Sequence, residues 1–337
     1  DSFNTAVGYA AGTAVTTGTA NTFVGGLAGD GTDDGTNNTA MGYLALSANC
    51  GNDNTAIGKA SLQVATGGGN VAVGKDAGLS LTSGTLNVLI GGLAGDALTD
   101  ADENVAVGYQ ALSADTLGLK STALGNEALA TQNFTTATSS YNTAAGYRAG
   151  FAVTTAIRNT LIGGISGDAL TTGARNTTLG YATLSSDTLG SRTVAIGYEA
   201  LGSQNFTTAT NAYNVAVGYS AGNVVTTGIQ NTLVGALAGD AMTDADYNTA
   251  VGVAALGSNV LGSRNTALGS FALANQTFTT ATDSYNTAVG FDAGVTISTG
   301  TNNTIVGGLA GDAITTAIGS VAMGQGALSA LQTGNSN

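Results

Sequence analysis

The chain contains no proline, no histidine and no tryptophan, and its single cysteine is Cys50. Without histidine, Ser-His-Asp and Cys-His catalysis are excluded, and so is any imidazole metal ligand. One cysteine excludes an intrachain disulfide and a Cys-rich zinc site. Basic residues are scarce: eight Lys and Arg stand against 21 Asp and Glu, a net charge of −13. That balance disfavours nucleic acid and anionic membranes as partners. Charged residues are only 9% and apolar residues 43%, so the chain is not a charge-swollen disordered tail. No apolar run approaches the roughly 18 residues of a spanning helix, and no basic-then-apolar leader opens the chain. The opening Asp1 reads as the start of a processed product or of an internal segment. An enzyme is not expected.

What the chain does have is glycine, 52 in 337 residues, and in such a chain internal repetition is the first thing to test. The phrase Asn-Thr-Ala-Val-Gly recurs nineteen times, closing on Gly8, Gly74, Gly146, Gly218, Gly290 and fourteen further glycines. The usual step is 17 residues, and from Gly74 onward every fourth step is 21, giving a super-repeat of 72. Numbering columns from the Asn, column 1 is Asn in 16 of the 19 units (Asn104, Asn142, Asn214 and Asn286 among them), with Ser121, Thr193 and Ser320 as the exceptions. Column 2 is always Thr or Val, column 5 is always Gly and column 8 is nearly always Ala. Such columns arise when each residue sits over its own copy at the strand spacing of about 4.7–4.9 Å.

A helical solenoid fails on three counts. Glycine at this density costs about 1 kcal/mol per helical position. An always β-branched column favours strands. Apolar residues show no sustained i, i+3, i+4, i+7 pattern. Seventeen residues suffice for two short strands and two turns. The expectation is an all-β parallel β-solenoid or β-roll of about nineteen coils, with residues 1–337 forming one repetitive segment. Nineteen coils at about 4.8 Å predict a shaft of about 90 Å.

Columns 2 to 4 are apolar or nearly so on both parities, which implies burial of both strand faces. A narrow single-chain roll covers only one. Several copies side by side, most simply three, would cover the other. The invariant glycine of column 5 has two possible causes, a positive φ or close approach of a neighbouring backbone. The column 1 Asn suits turn geometry and could bond to the Asn above and below. Where column 3 is large (Phe23, Leu89, Leu161, Leu233, Ile305), column 6 is Gly or Ala, which reads as volume exchanged between those two columns.

The run Asn104 to Leu112, Asn-Thr-Ala-x-Gly-x-x-Ala-Leu in type, resembles the head repeats of YadA-like trimeric autotransporter adhesins. It resembles at least as closely the repeat arrays of phage tail fibres. The likeness covers residues 4 to 330. It implies a left-handed parallel β-roll of three chains, intertwined or side by side. The adhesin repeat is nearer fourteen residues, so the seventeen-residue unit here leans toward the phage fibre. The implied role is a non-enzymatic structural and adhesive fibre, in a virion tail or on a bacterial surface, whose partners are its own copies and a host receptor or glycan. A bacterial adhesin head or extracellular filament is the near alternative. A single-chain ice- or glycan-binding solenoid is a further one, although its Thr file is broken by six valines. A polysaccharide-cleaving solenoid would need a carboxylate pair unique to one place, and none stands out.

Two features recur every fourth coil. The longer corners, near 132–141, 204–213 and 276–285, each carry a Phe and a Tyr: Phe134 with Tyr141, Phe206 with Tyr213, Phe278 with Tyr285. They read either as plugs of the local core or as an exposed platform for a glycan or surface partner. The Gly-x-x-Gly-Asp turns carry Asp30, Asp96, Asp168, Asp240 and Asp312. Asp96 with Asp100 and Asp102, and Asp240 with Asp244 and Asp246, could supply part of a calcium shell. Asp bonding to its own turn backbone is the plainer reading. No cofactor is expected otherwise.

Overall fold

In a computed structural model describing residues 2–330 and 332–334, the chain is a parallel β-solenoid of nineteen coils, with no helix among the described residues. It divides into two compact units, Asp1–Thr172 and Gly173–Asn337. The first holds ten coils and the second nine.

Each coil contributes one strand of three residues, columns 2 to 4, such as Val71–Val73 in the first unit and Val215–Val217 in the second. Within each unit successive strands pair in parallel with no slip: Val71 faces Val88, Ala72 faces Leu89 and Val73 faces Ile90. The same register persists through the 16-residue coils, where Thr39 faces Thr55 and Thr55 faces Val71.

The expected second strand is missing from most coils. Only the three longer corners form one: Gly118–Leu119 pairs with Thr138–Ser139, Gly190–Ser191 with Thr210–Asn211, and Gly262–Ser263 with Thr282–Asp283. The backbone explains why. Columns 5, 7 and 9 have positive φ in all nineteen coils, as does the residue just before each repeat Asn, and many of those positions are not glycine: Leu93, Leu112 and Lys120 have φ of 58°, 55° and 60°. Left-handed residues alternating with ordinary ones cannot continue a pleat. Hydrogen bonds nevertheless carry on from coil to coil there, as when Leu93 N donates to Lys75 O at 3.0 Å and Gly95 N to Ala111 O at 2.9 Å. Each coil thereby imposes its unusual dihedrals on the next.

Both causes proposed for the column 5 glycine operate together. Gly74 has φ +140°, and a Cβ there would lie 2.5 Å from the carbonyl oxygen of Gly91. The column 1 Asn is buried and works in both directions. Asn87 Nδ2 donates to Ala101 O at 2.7 Å across its own coil, and Asn87 Oδ1 accepts the backbone N–H of Asn104 at 3.0 Å. The bond up the stack thus runs chiefly from main chain to side chain. Direct amide-to-amide bonds are the lesser part, as from Asn87 Nδ2 to Asn70 Oδ1 at 3.0 Å.

The core is thin. From the second coil to the eighteenth, columns 3 and 8 are buried inside the coil, joined by most residues of columns 9 and 12. The volume exchange is real but involves a different partner. Column 6 points outward, whereas a large column 3 residue fills the space over a column 9 glycine. A Cβ on Gly95 would meet Leu89 Cδ2 at 2.7 Å, and one on Gly12 would meet Phe23 Cδ2 at 2.9 Å. Some coils with Ala in column 3, those of Ala106 and Ala123 among them, instead bury a column 9 leucine, Leu112 and Leu129.

Candidate functional site

Strand alternation turns column 3 inward and columns 2 and 4 outward, and the outward face has no cover. In the first unit Met41, Ile90, Leu124 and Ile162 of column 4 are exposed, together with Tyr43, Tyr109 and Tyr147 of column 6. In the second unit Leu179 and Leu268 are exposed, and column 6 builds an aromatic stack. The rings of Tyr181 and Tyr198 are 5.7 Å apart at 19°, and those of Tyr198 and Tyr219 are 5.5 Å apart at 11°. These tyrosines are about half exposed. Single exposed apolar residues are ordinary on a soluble protein, but files of them on one face mark an interaction surface.

The longer corners split the roles expected of their aromatic pairs. Phe134, Phe206 and Phe278 are buried at 5%, 5% and 6% exposure, whereas Tyr141, Tyr213 and Tyr285 stand about half exposed. The phenylalanines therefore plug the core and do not form a platform. Beneath them lies a polar group that the sequence patterns did not mark. Buried Asp115 accepts from Gln132 Nε2 through Oδ2 at 2.6 Å, and through Oδ1 from Gly118 N and Phe134 N, each at 3.0 Å. Gln132 Nε2 also reaches Ser121 Oγ at 2.8 Å. Asp187 and Gln204 repeat the arrangement under Phe206 and Thr193. In the third copy Asn259 takes the place of Asp, and its amide bonds to Gly262. Burial raises the carboxyls of Asp115 and Asp187 above the usual range, against the opposing pull of these hydrogen bonds. The available signal was column 12, where Asp or Asn and then Gln interrupt an otherwise apolar file in every super-repeat.

The acidic turns do not converge. Asp100 accepts from Ser83 Oγ at 2.6 Å, while Asp102 accepts from Thr85 N at 2.7 Å and Thr85 Oγ1 at 2.9 Å. Asp244 accepts from Thr227 Oγ1 and Asp246 from Ile229 N, each at 2.7 Å. Each carboxylate bridges to its own neighbouring coil. Among the described residues no three Asp, Glu or Cys side chains come together as metal ligands, so the calcium trios of the sequence have no shared centre. Asp96, Asp168 and Asp240 are raised above the ordinary carboxyl range, chiefly by burial, with their own backbone amides pulling the other way. Cys50 is buried beside Thr32 Oγ1 at 3.2 Å, and burial pushes its thiol up, away from a reactive thiolate.

A further file is column 17, the residue before each repeat Asn. It varies in residue type, which hides it from a search for repeated letters; its signal is charge. Five of the eight Lys and Arg lie there: Lys120, Arg158, Arg175, Arg192 and Arg264.

No protein-family model matches the chain, and no curated protein matches its sequence. The architecture and its faces define the class, a β-solenoid repeat protein. No helix among the described residues is long and apolar enough to cross a membrane.

Proposed function

We propose that this chain is a segment of a non-enzymatic fibre, assembled from copies of itself side by side, that serves attachment at a surface. The observation that carries this reading is the uncovered outward face of columns 4 and 6. A parallel copy presents the same columns at the same spacing, so it covers the files coil by coil, which a compact partner does not. Three copies make a closed arrangement in which each chain meets two neighbours around a shared axis. The repeat phrase of Asn104 to Leu112 supports the comparison with phage tail fibres, and through it a place in a virion tail contacting the host. The bacterial adhesin head is the nearest variant of the same reading.

Light scattering of the purified chain tests the assembly. The expected mass is three times that of one chain, and a monomer at micromolar concentration would overturn the proposal. Tyr198→Glu places a charge in the middle of the tyrosine stack of the second unit. It is expected to lower the mass while leaving the far-ultraviolet β signal unchanged. Retention of the full mass by that variant would show that the stack lies outside the contact.

A further inference from the structure

In the second unit every cationic side chain lies in one file. Arg175, Arg192 and Arg264 are its only lysines or arginines, and all three occupy column 17. Tyr213, Tyr247 and Tyr285 share that column, with Gln230 between the first two. All seven residues hold φ between 48° and 63°. The backbone amides of Arg192, Gln230, Tyr247 and Arg264 donate to carbonyls of the preceding coil at 3.1, 2.7, 3.1 and 3.0 Å. The rungs are therefore fixed in register at the strand spacing of about 4.8 Å.

The side chains form a line of flat faces. The Arg192 guanidinium lies 5.4 Å from the Tyr213 ring centre and donates Nη1 to the phenol oxygen. Arg264 lies 4.8 Å from the Tyr247 ring centre and 5.8 Å from that of Tyr285, and its Nε is 2.9 Å from Asp283. Arg175 and Arg192 make no ion pair among the described residues. The three tyrosines are 42–52% exposed.

We propose that this file is a binding track for an anionic polysaccharide. Arginine forks match carboxylate and sulfate oxygens, and tyrosine rings offer apolar faces with a polar edge to the rings of sugars. An unbranched glycan also repeats along one axis, as the rungs do. Nucleic acid shares the stacking chemistry and the sign of charge, so the net charge of −13 opposes both polyanions alike and an oligothymidylate probe is what separates them. A second copy of this chain in the same register lacks the carboxylates to answer Arg175 and Arg192. Over residues 173–213 the acids are Asp187, which is buried, and Glu199, which holds Asn223 Nδ2 at 3.1 Å. The inference deepens the attachment reading and rests on it for its biological sense, but it does not require the trimer.

Binding of polygalacturonate to the intact chain tests the track, with neutral amylose and oligothymidylate as comparison probes. The expected result is saturable binding of polygalacturonate that weakens as salt rises, with amylose and oligothymidylate at least about tenfold weaker. The pair Arg175→Gln with Arg192→Gln is expected to lose about tenfold or more. Arg264→Gln is expected to lose less than about threefold, because Asp283 already occupies that guanidinium. Circular dichroism and light scattering of each variant confirm that fold and mass are kept. Unchanged binding by the double variant, equal binding of amylose or oligothymidylate, or no binding of polygalacturonate overturns the proposal. The light-scattering mass answers the assembly question separately. A monomer that binds keeps the track and removes the fibre; a trimer that does not bind does the reverse.

Discussion

Asn142 Nδ2 donates to Gln132 Oε1 at 2.8 Å, so the amide at the start of one coil is held by a side chain from the long corner of the coil before it. The link stands in where Ser121 replaces the usual Asn. Gln132 donates to Asp115 and Ser121 with one end and accepts from Asn142 with the other. Gln132→Leu takes one hydrogen bond from each of three buried polar partners, one of them a carboxylate, although each keeps another, and is expected to cost about 3 kcal/mol. Gln276→Leu is expected to cost about 1 kcal/mol, because Gln276 Oε1 has no partner and its Nε2 reaches only Asn265 Oδ1 at 3.4 Å. Urea midpoints of the two variants, compared with the parent, check the difference. Equal losses would show that the Gln132 network carries no special weight.

Glycines in columns 5 and 6 should respond in opposite ways to a methyl group. Gly74→Ala combines a φ of +140° with a contact of 2.5 Å to the Gly91 oxygen, and is expected to cost about 4 kcal/mol or to prevent folding. At Gly92 the nearest atom to a new Cβ is Tyr109 Cδ2 at 3.5 Å, so Gly92→Ala should stay within about 0.5 kcal/mol of the parent. Soluble yield and denaturant midpoint together report both outcomes.

Leu89 and Gly95 share one volume, and a double-mutant cycle should reveal it. Leu89→Ala opens a cavity and is expected to cost about 3 kcal/mol. Gly95→Ala drives a methyl into Leu89 and Leu98, at 2.7 and 2.8 Å, and also strains a left-handed residue. In the double variant the shortened side chain makes room for the new methyl. The combined loss should fall short of the sum by about 1 kcal/mol or more. Strict additivity would separate the two columns.

Mild acid should stabilise this protein. Burial raises the carboxyls of Asp115, Asp187, Asp96, Asp168, Asp240 and Asp246. A raised folded-state pKa means the folded chain holds its proton more tightly than the unfolded chain. The stabilisation is full below the ordinary carboxyl value of about 4 and is lost as pH rises through the raised value. The melting temperature is therefore expected to climb as pH falls toward the ordinary carboxyl value of about 4, and Asp115→Asn with Asp187→Asn should flatten that slope. A melting temperature that falls steadily over the same interval would contradict the assignment.

Winding was legible because a stack forces each column to tolerate itself, and the Asn and Gly columns of Asn104 and Gly108 display this at a glance. The path between strands was not. A left-handed backbone is visible in a sequence when glycine or Asn occupies it, but here Leu112, Lys120 and Tyr141 do so under constraint from the coils on either side. Column spacing also does not say which side of the backbone a residue takes. For that reason the letters pair Leu89 with Gly92, which faces outward, whereas its side chain packs over Gly95 inside. The aromatic corners were half legible. Phe and Tyr stand out in a chain poor in aromatics, yet only the coil geometry separates buried Phe134 from exposed Tyr141.

The 72-residue period bears on how such a chain can change in length. Gly218 and Gly290 occupy equivalent places in the second unit, each followed by an aromatic residue, Tyr219 or Phe291. Removing residues 219–290 would join Gly218 to Phe291 and return every layer of the interior to its proper order, since the layers alternate on that same count. Recombination between misaligned copies of the gene could therefore lengthen or shorten the protein in whole super-repeats without inventing a new interior, and a shift by any other number of coils would bring mismatched layers together.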